Sequence, residues 1–350
     1  MKNFEVLSEP RKIYKRMLED IKSAKKSVYL ETYIYNNDKI GRKFKKEIMK
    51  KASEGVKIML LIDSWGSHVD KKYFSKLIKL GAEVKFFREI QYVIRMLTKN
   101  HERNHRKLLL IDSEISYIGS INITNSCINW RELVLRLDGE ISYALEKSFM
   151  KNWEASGNFN KKKVKNIIHK GFEIINDFPS EIKRITEKKY TELIKTARKR
   201  IMIETPYFVP SGKIRKAFYK AVKRGVKIDI IVPYISDMRI ADLVRNRYFE
   251  ILNKNGINIH YYTPRMIHSK LLIIDDRFFI LGSSNLDYRS FMHQYEINLL
   301  GRDKKIIKSL TEYFKKDLSE CKPFNYEEWK KRASTGKIIE IILSVFRRYM

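Results

Sequence analysis

One eight-residue pattern occurs twice in this chain, as His105-Arg-Lys-Leu-Leu-Leu-Ile-Asp112 and as His268-Ser-Lys-Leu-Leu-Ile-Ile-Asp275. After six further residues each copy is followed by a second matching group, Gly119-Ser-Ile-Asn122 in one case and Gly282-Ser-Ser-Asn285 in the other. The agreement covers residue type, order and spacing, which is typical of an internal duplication. The chain is therefore expected to contain two related halves.

The duplication extends well before the two motifs. Three further pairs of segments match in the same order, namely residues 23–35 with 196–208, 55–62 with 225–232, and 81–87 with 256–262. We expect the first half to span residues 1–160 and the second to span residues 161–320, joined by a polar, lysine-rich connector at residues 157–186. Residues 321–350 have no counterpart in the first half and are expected to form a C-terminal tail.

Hydrophobic periodicity within each half alternates between helix and strand. Apolar residues recur at helical spacing in residues 11–25, 39–53, 188–199 and 212–224, whereas residues 28–33 and 201–207 are short apolar runs typical of strands. The second helix of each half leads into a glycine, which favours helix termination. This alternation predicts an α/β fold of two pseudo-symmetric α/β/α halves, each with a mostly parallel or mixed sheet flanked by helices.

The duplicated motif places several polar side chains at the end of a sheet. His105 and Lys107 are two residues apart, so they point to the same face of a strand, and the apolar run that follows buries that strand. The turn after Asp112 leads to a second strand that ends at Ser120 and Asn122. The second copy repeats this arrangement with His268, Lys270, Asp275, Ser283 and Asn285. A combined site would hold two each of imidazole, ammonium, hydroxyl and carboxamide groups.

This set of groups suits phosphodiester exchange without a metal ion or an organic cofactor. One imidazole attacks phosphorus to form a covalent intermediate, and the other protonates the leaving oxygen and later deprotonates the incoming hydroxyl. Lysines, asparagines and serine hydroxyls bind the non-bridging oxygens and stabilise the transition state. The two imidazoles need different protonation states, so each requires an acidic orienting partner. Glu132 lies 27 residues after His105 and Glu296 lies 28 after His268, and this matched spacing selects them.

The duplicated motif resembles that of the phospholipase D (PLD) superfamily. Wider stretches resemble bacterial cardiolipin synthases, namely Leu30-Glu-Thr-Tyr-Ile34, Trp130-Arg-Glu132, Thr205-Pro-Tyr-Phe-Val-Pro210 and Asn285-Leu-Asp-Tyr-Arg-Ser290. The resemblance implies that His105 is the nucleophile, that His268 is the general acid and base, and that both motif aspartates are structural. It also implies transfer of a phosphatidyl group from one phosphatidylglycerol to another, which gives cardiolipin and glycerol. Many members of this family begin with a transmembrane hairpin, and this chain resembles the shorter members without it.

The composition of the 350 residues narrows the choice of partners. Lys and Arg number 72 against 41 Asp and Glu, a formal net charge of +31, which favours either nucleic acid or an anionic membrane surface. Cys127 and Cys321 form neither a disulfide framework nor a zinc site, which fits a reducing compartment. No run approaches the ~18 apolar residues of a membrane span, and the N-terminus lacks the apolar core of a signal peptide. We therefore expect peripheral action at the cytoplasmic face of the cell membrane.

Two segments outside the repeat are candidates for membrane contact. Residues 337–350 place apolar and basic side chains on opposite faces at helical spacing, which is typical either of an interfacial anchor or of a helix docked on the core. Residues 88–104, an insertion relative to the second half, mix apolar and basic side chains and lead into His105. They form either a plain surface helix or a lid beside the site.

The sequence leaves more than one function open. Cardiolipin synthesis at an anionic phospholipid membrane, with phosphatidylglycerol and cardiolipin as bound lipids, is favoured by the resemblance and by the amphipathic tail. A phospholipase or a phosphatidylserine-forming enzyme would keep the same intermediate and change only the acceptor. A PLD-type nuclease would suit the positive charge, but nucleic acid is not expected as the partner.

Overall fold

The computed structural model describes residues 3–87, 102–156, 165–331 and 340. Residues 88–101 of the candidate lid therefore lie outside the described residues. The candidate tail helix at residues 337–350 also lies outside them, except for Glu340. The carboxylate of Glu340 accepts a hydrogen bond from Asn246 Nδ2 at 3.3 Å. Within the described ranges, no helix combines the length and the apolar character that crossing a bilayer requires.

The first half forms a seven-stranded mixed sheet with helices. Its elements are β1 (Phe4–Leu7), α1 (Pro10–Ser23), β2 (Ser27–Thr32), α2 (Lys39–Ser53), β3 (Lys57–Asp63), α3 (Ser75–Lys79), β4 (Glu83–Phe87), β5 (Arg103–Asn104), β6 (Leu108–Ile111), β7 (Ile115–Gly119), β8 (Val134–Asp138) and α4 (Glu140–Ala155). The strand order is β1-β8-β7-β6-β2-β3-β4. Strands β2, β3 and β4 are parallel, whereas every pair from β2–β6 to β8–β1 is antiparallel.

The second half repeats this plan with additional edge strands. Its elements are β9 (Ile167–His169), β10 (Phe172–Asp177), α5 (Ile185–Thr196), β11 (Arg200–Glu204), α6 (Gly212–Lys223), β12 (Lys227–Pro233), α7 (Arg239–Lys254), β13 (Asn258–Tyr262), β14 (Leu271–Ile274), β15 (Phe278–Gly282), α8 (Tyr288–Met292), β16 (Gln294–Gly301), α9 (Lys304–Ser319), β17 (Cys321–Pro323) and α10 (Tyr326–Lys330). The strand order is β17-β13-β12-β11-β14-β15-β16-β10-β9, and β5 of the first half pairs with β16 off this path.

The predicted fold class is confirmed, with one wrong local prediction. The four predicted helices correspond to α1, α2, α5 and α6, and their ends move by at most three residues. The predicted connector at residues 157–186 instead contains β9 and β10. β10 pairs antiparallel with β16, the position that β1 takes beside β8 in the first half. These strands were missed because they are short and follow a run of lysines.

The two halves share a hydrophobic core because alternate residues of a strand point to opposite faces. Leu108 and Leu110 of β6 lie in the shared core, whereas Leu109 and Ile111 pack with α1 and α2 in the outer core of the first half. β14 divides its residues in the same way. Helix α4 packs on β10 and α9 packs on β1, so each half covers a strand of the other. The residues that precede β6 and β14 consequently meet.

Candidate active site

Each motif histidine is held by backbone contacts with the opposite half. His105 N donates to Tyr295 O at 2.9 Å, and His268 N donates to Arg131 O at 2.7 Å. β5, which directly precedes His105, runs parallel to the start of β16, and Arg131 forms the matching bridge with Ile267. The loop that carries each histidine therefore lies beside the residue that precedes the glutamate of the other half.

The residues that flank His105 are fixed by a buried carboxylate, Glu31 at the end of β2. Its Oε1 accepts hydrogen bonds from Asn104 Nδ2 at 2.9 Å and from Arg106 Nε at 3.0 Å. In the second half Glu204 accepts from Ser269 Oγ at 2.5 Å. Because all of these groups are buried, breaking a contact would leave a polar group without a partner, so the histidine backbone is held firmly.

The two glutamates bind the two histidines across the halves. Nδ1 of His105 lies 3.0 and 3.2 Å from the oxygens of Glu296, and Nδ1 of His268 lies 3.0 Å from both oxygens of Glu132. The sequence selects these carboxylates by their spacing within each half, and the structure instead pairs each one with the histidine of the other half. Since a carboxylate can only accept, Nδ1 carries the proton and Nε2 is the nitrogen left to react.

The two motif serines contact the glutamates and do not line the cavity. Ser120 Oγ donates to Glu132 and accepts from Leu133 N at 2.9 Å. Ser283 Oγ makes the same two contacts: it donates to Glu296 and accepts from Ile297 N at 2.9 Å. Because the single proton of each hydroxyl is donated to a carboxylate, these contacts favour a positioning role over the expected contact with phosphate.

The motif lysines and asparagines surround the histidines. Nζ of Lys107 and Nζ of Lys270 each donate to the carbonyl of the histidine two residues before, at 2.6 Å. Burial, with repulsion from the second lysine, lowers the pKa of Lys107 to about 7, and burial lowers the pKa of Lys270 to about 8. Asn122 Oδ1 accepts from Ile34 N at 3.2 Å, and Asn285 Oδ1 has no partner within the described residues.

The motif aspartates lie at the other end of the strand. Asp112 accepts hydrogen bonds from the backbone N–H groups of Lys25, Lys26 and Ser27 at 2.7–2.8 Å, and its φ is 55°. Asp275 makes the same contacts with the N–H groups of residues 198–200. The buried strand separates both carboxylates from the histidines. The motif groups them with the catalytic residues, but their contacts give them the structural role that the resemblance implies.

A cavity of about 570 Å³ lies where the two halves meet. His105, His268 and both motif asparagines line it, together with several aromatic side chains. The ring of Tyr33 lies 5.1 Å from that of His105 and the ring of Trp130 lies 5.1 Å from that of His268, between centroids. Arg289 is the one Lys or Arg among the described residues that line the cavity. In the described parts of the chain, no group of three or more His, Cys, Asp or Glu side chains is placed to hold a metal ion.

Sequence reasoning assigned no role to Tyr33, Tyr207 or Arg289, which all line this cavity. The duplicated segments align Tyr33 with Pro206 and Ile34 with Tyr207, so each half carries a tyrosine just after Glu-Thr but at positions that differ by one residue. Arg289 lies in residues 285–290, which resemble bacterial cardiolipin synthases, but that resemblance gave the residue no role of its own. Trp65 and Met238 also line the cavity, but their loops do not match in sequence and gave no signal.

The two His–Glu pairs differ in the pKa shifts of their members. Burial and the two buried lysines lower the pKa of His105 well below its usual range, and burial raises the pKa of Glu296 to about 7. Burial acts to raise the pKa of Glu132 as well, but His268 and a buried lysine outweigh it and lower that pKa. Burial lowers the pKa of His268, although the Glu132 anion opposes the fall. His105 is thus the neutral ring, and His268 is the ring whose protonated form has an anionic partner.

One neutral ring and one ring beside an anion, facing a common cavity, are arranged for two successive displacements at a single phosphorus atom. The duplicated α/β halves and this pairing define the class as that of PLD-type enzymes. The sequence profile of the family described as "Cardiolipin synthase, PLD-like domain" matches residues 17–153 and 190–318. The chain belongs to this family and is a phosphatidyltransferase of PLD type.

Curated relatives extend the match over nearly the whole chain. The cardiolipin synthase of Clostridium perfringens (strain SM101) is 32% identical over 352 residues, covering 95% of this chain and 73% of that protein. The major cardiolipin synthase ClsA of Bacillus subtilis (strain 168) is 30% identical over 354 residues, covering 97% of this chain and 73% of that protein. Both lie in the family that the motif resembles.

Two solved structures share the fold. Phosphatidylserine synthase from Haemophilus influenzae superimposes with a TM-score of 0.75 at 13% identity, covering 99% of this chain and 92% of that chain. Polyphosphate kinase from Porphyromonas gingivalis gives a TM-score of 0.65 at 11% identity, covering 100% of this chain and 54% of that chain. At these identities the likeness establishes the fold alone.

Proposed function

We propose that this enzyme joins two phosphatidylglycerol molecules into cardiolipin, releases glycerol, and does so through a phosphohistidine intermediate. The observation that carries the proposal is the crossed pairing of His105 with Glu296 and of His268 with Glu132 at one cavity. The two relatives described above, at 32% and 30% identity, are cardiolipin synthases by name, which supports the choice of product.

In the first step, Nε2 of His105 attacks the phosphorus of a bound phosphatidylglycerol. The hydrogen bond from Nδ1 to Glu296 keeps the lone pair on Nε2 and stabilises the positive charge that develops on the ring. The bond from phosphorus to the headgroup oxygen breaks, and His268 gives its Nε2 proton to that oxygen. Glycerol leaves, and the phosphatidyl group remains on His105.

In the second step, the glycerol headgroup of another phosphatidylglycerol enters. Its hydroxyl transfers a proton to His268, which is now neutral, and its oxygen attacks phosphorus. The phosphorus–nitrogen bond breaks, so His105 returns to its neutral form and His268 to its protonated form. The balanced cycle moves one proton and one phosphatidyl group in each step and consumes no cofactor.

The remaining motif side chains are proposed to bind the non-bridging oxygens. The lowered pKa values of Lys107, about 7, and of Lys270, about 8, rise when a phosphate anion enters, and this favours the charged ammonium forms. Asn122 and Asn285 offer carboxamide hydrogens from the cavity wall. Charge that builds up on the non-bridging oxygens in either transition state then meets donors held by buried side chains.

Charge supports an anionic lipid and a membrane location. Arg289 adds a cation to a cavity wall that also carries Asp237 and Asp287, and this cation suits a donor and an acceptor that both carry a phosphate. The net charge of +31 favours the anionic cytoplasmic leaflet, where we place the enzyme as a peripheral protein. Residues 88–104 and 337–350, which lie mostly outside the described ranges, are proposed as additional membrane contacts.

The decisive experiment is mass spectrometry of lipids after the purified enzyme is incubated with phosphatidylglycerol vesicles. Cardiolipin and glycerol should appear in equal amounts, and His105→Ala should form neither. Phosphatidic acid in place of cardiolipin would identify water as the acceptor and the enzyme as a phospholipase. Cleavage of DNA in a parallel assay, without any lipid product, would identify a nuclease.

A further inference from the structure

Two loops project apolar side chains into solvent at the cavity. Trp65 follows β3, whereas Tyr234, Ile235, Met238 and Ile240 follow β12 and begin α7. These five side chains, here called the apolar rim, expose between 40% and 59% of their surface. Of the eleven large hydrophobic side chains that are exposed in the described parts of the chain, five belong to the rim. Exposed apolar surface is thus concentrated at the rim. Single apolar residues scattered over a surface are normal, but such a cluster needs an explanation.

The rim lies at the mouth of the cavity. Strands β3 and β12 hold corresponding positions in the two sheets, and both loops start from the C-terminal ends of these parallel strands. Trp65 and Met238 line the cavity itself. By contrast, exposed Tyr143 begins α4 near the Asp112 end of the first sheet, and exposed Ile168 lies on the edge strand β9.

Ordered polar contacts hold the rim side chains outward. The N–H group of Trp65 donates to Asp63 Oδ1 at 2.9 Å. In the other loop Ser236 Oγ donates to the carbonyl of Met238 at 3.0 Å, and Ser236 N donates to Asp242 Oδ2 at 2.9 Å. The exposure is therefore a feature of the loop conformation itself. Leaving this apolar surface in water costs free energy.

The chemistry of the cavity indicates what covers this surface. The cavity of about 570 Å³ is lined by imidazole, carboxamide and guanidinium groups, which suit a phosphate, and by the carboxyl groups of Asp237 and Asp287, which suit the hydroxyls of a glycerol headgroup. The acyl chains of a phosphatidyl substrate then extend through the mouth, where the rim lies. Among the exposed charged residues of segments 65–72 and 234–240, three basic ones outnumber two acidic ones and leave a small positive balance at the same place; they are Lys71, Lys72 and Arg239 against Asp70 and Asp237.

We propose that the apolar rim docks on an anionic phospholipid bilayer, with its side chains at the boundary between headgroups and acyl chains. Lipid then passes from the membrane into the cavity without its acyl chains crossing water. Apolar side chains flanked by basic ones are the pattern of interfacial binding. This inference rests on the proposed lipid substrate, and it assigns a membrane contact to described residues, separate from the one proposed for residues 337–350.

Binding to vesicles tests the proposal without turnover. Full-length His105→Ala protein is sedimented with vesicles of phosphatidylcholine and phosphatidylglycerol, with and without the added pair Ile235→Asp and Ile240→Asp. Neither isoleucine lines the cavity. Two charges in place of two membrane-buried side chains should weaken binding about tenfold or more. Ile168→Asp is the matched control and should bind as the parent does, and all variants should keep the parent melting temperature.

A second pair of variants keeps the test independent of the first. Tyr234→Asp should weaken vesicle binding, whereas Tyr143→Asp, a matched change far from the cavity, should not. When His105 is left intact, the Ile235→Asp and Ile240→Asp double variant should lose activity on vesicles. It should retain activity on monomeric short-chain phosphatidylglycerol. Parent-level vesicle binding by both rim variants would overturn the docking proposal. Vesicle binding is measured without turnover. A phosphatidic acid product would therefore contradict the proposed cardiolipin synthesis but not the docking of the rim on the bilayer.

Discussion

Oε1 of Glu296 lies 3.0 Å from Nδ1 of His105, although 191 residues separate the two in the sequence. Glu132 and His268 form the reciprocal contact. Neither half therefore contains an oriented histidine by itself, even though each contains a complete copy of the motif. The shared core and the backbone bond from His105 N to Tyr295 O are what bring the pairs together. Docking of the halves is thus a condition for catalysis as well as for stability.

Removing either carboxylate charge should slow turnover without unfolding the protein. Glu296→Gln and Glu132→Gln keep the size of the side chain but weaken the hold on Nδ1, and we expect kcat to fall about tenfold or more, as for orienting carboxylates elsewhere. Circular dichroism and steady-state kinetics on phosphatidylglycerol vesicles check this expectation. Wild-type kcat in both variants would show that the crossed pairs have no catalytic role.

The two Gln variants should differ in their pH profiles. The Glu132 anion raises the pKa of His268, so Glu132→Gln lowers it further. The first step needs protonated His268, and activity is lost as pH rises through that pKa. The alkaline limb of the kcat profile should therefore move to lower pH in Glu132→Gln. Glu296→Gln is the matched control, in which this limb should move less; equal shifts would contradict the assignment of His268 as the acid.

Asp112 should matter for stability and little for chemistry. Asp112→Ala removes acceptors for three backbone N–H groups and places alanine at a φ of 55°, which favours Asp, Asn or Gly. We expect the free energy of unfolding to fall by about 1–3 kcal/mol, measured by urea titration. Activity per folded molecule should stay near wild type. A loss of kcat without a loss of stability would return this residue to the catalytic group.

The sequence predicted what is local and repeated. Spacing within one strand placed His105 with Lys107, and the second copy of the motif predicted a second half with the same fold. The partners of the histidines were found only as residue types, because the distance from His105 to Glu132 along the chain says nothing about docking between halves. In the structure His105 and Glu132 belong to different pairs, because His105 contacts Glu296 and Glu132 contacts His268.

Other features escaped because their signal is not periodic. β10 was hidden in a lysine-rich segment, and its place beside β16 depends on covering an edge of the second sheet. The sequence predicts a phosphate contact for Ser120 because a hydroxyl near a histidine suits that role. Only the structure shows that its proton belongs to Glu132. Trp65 contributes to the cavity through a loop whose sequence has no copy in the second half.

The covalent intermediate should form on His105 and depend on His268 for its release. With a phosphatidyl substrate whose leaving group needs no protonation, His268→Ala should accumulate phosphohistidine, because it lacks the base for the second step. His105→Ala should accumulate none. Mass spectrometry of peptides under alkaline conditions locates the modification. Chelators should not affect either result, and activity lost in EDTA and restored by a divalent ion would refute this mechanism.

The acceptor that takes the phosphatidyl group from His105 should depend on Arg289. The intermediate is released by any hydroxyl that reaches it, so the product depends on what the cavity binds. Arg289 is the cation that we expect to hold the phosphate of the acceptor lipid, whereas water needs no such contact. Arg289→Ala should therefore raise the KM for phosphatidylglycerol and shift the product from cardiolipin toward phosphatidic acid.

Arg289→Lys is the matched control, since it keeps the positive charge and removes only the planar fork of the guanidinium. It should retain most of the cardiolipin fraction, measured by lipid mass spectrometry across a range of phosphatidylglycerol densities in the vesicles. At high density the Ala variant should recover part of its cardiolipin, because a weakly bound acceptor competes better with water as its surface concentration rises. An unchanged product ratio in Arg289→Ala at every density would show that the acceptor phosphate binds elsewhere.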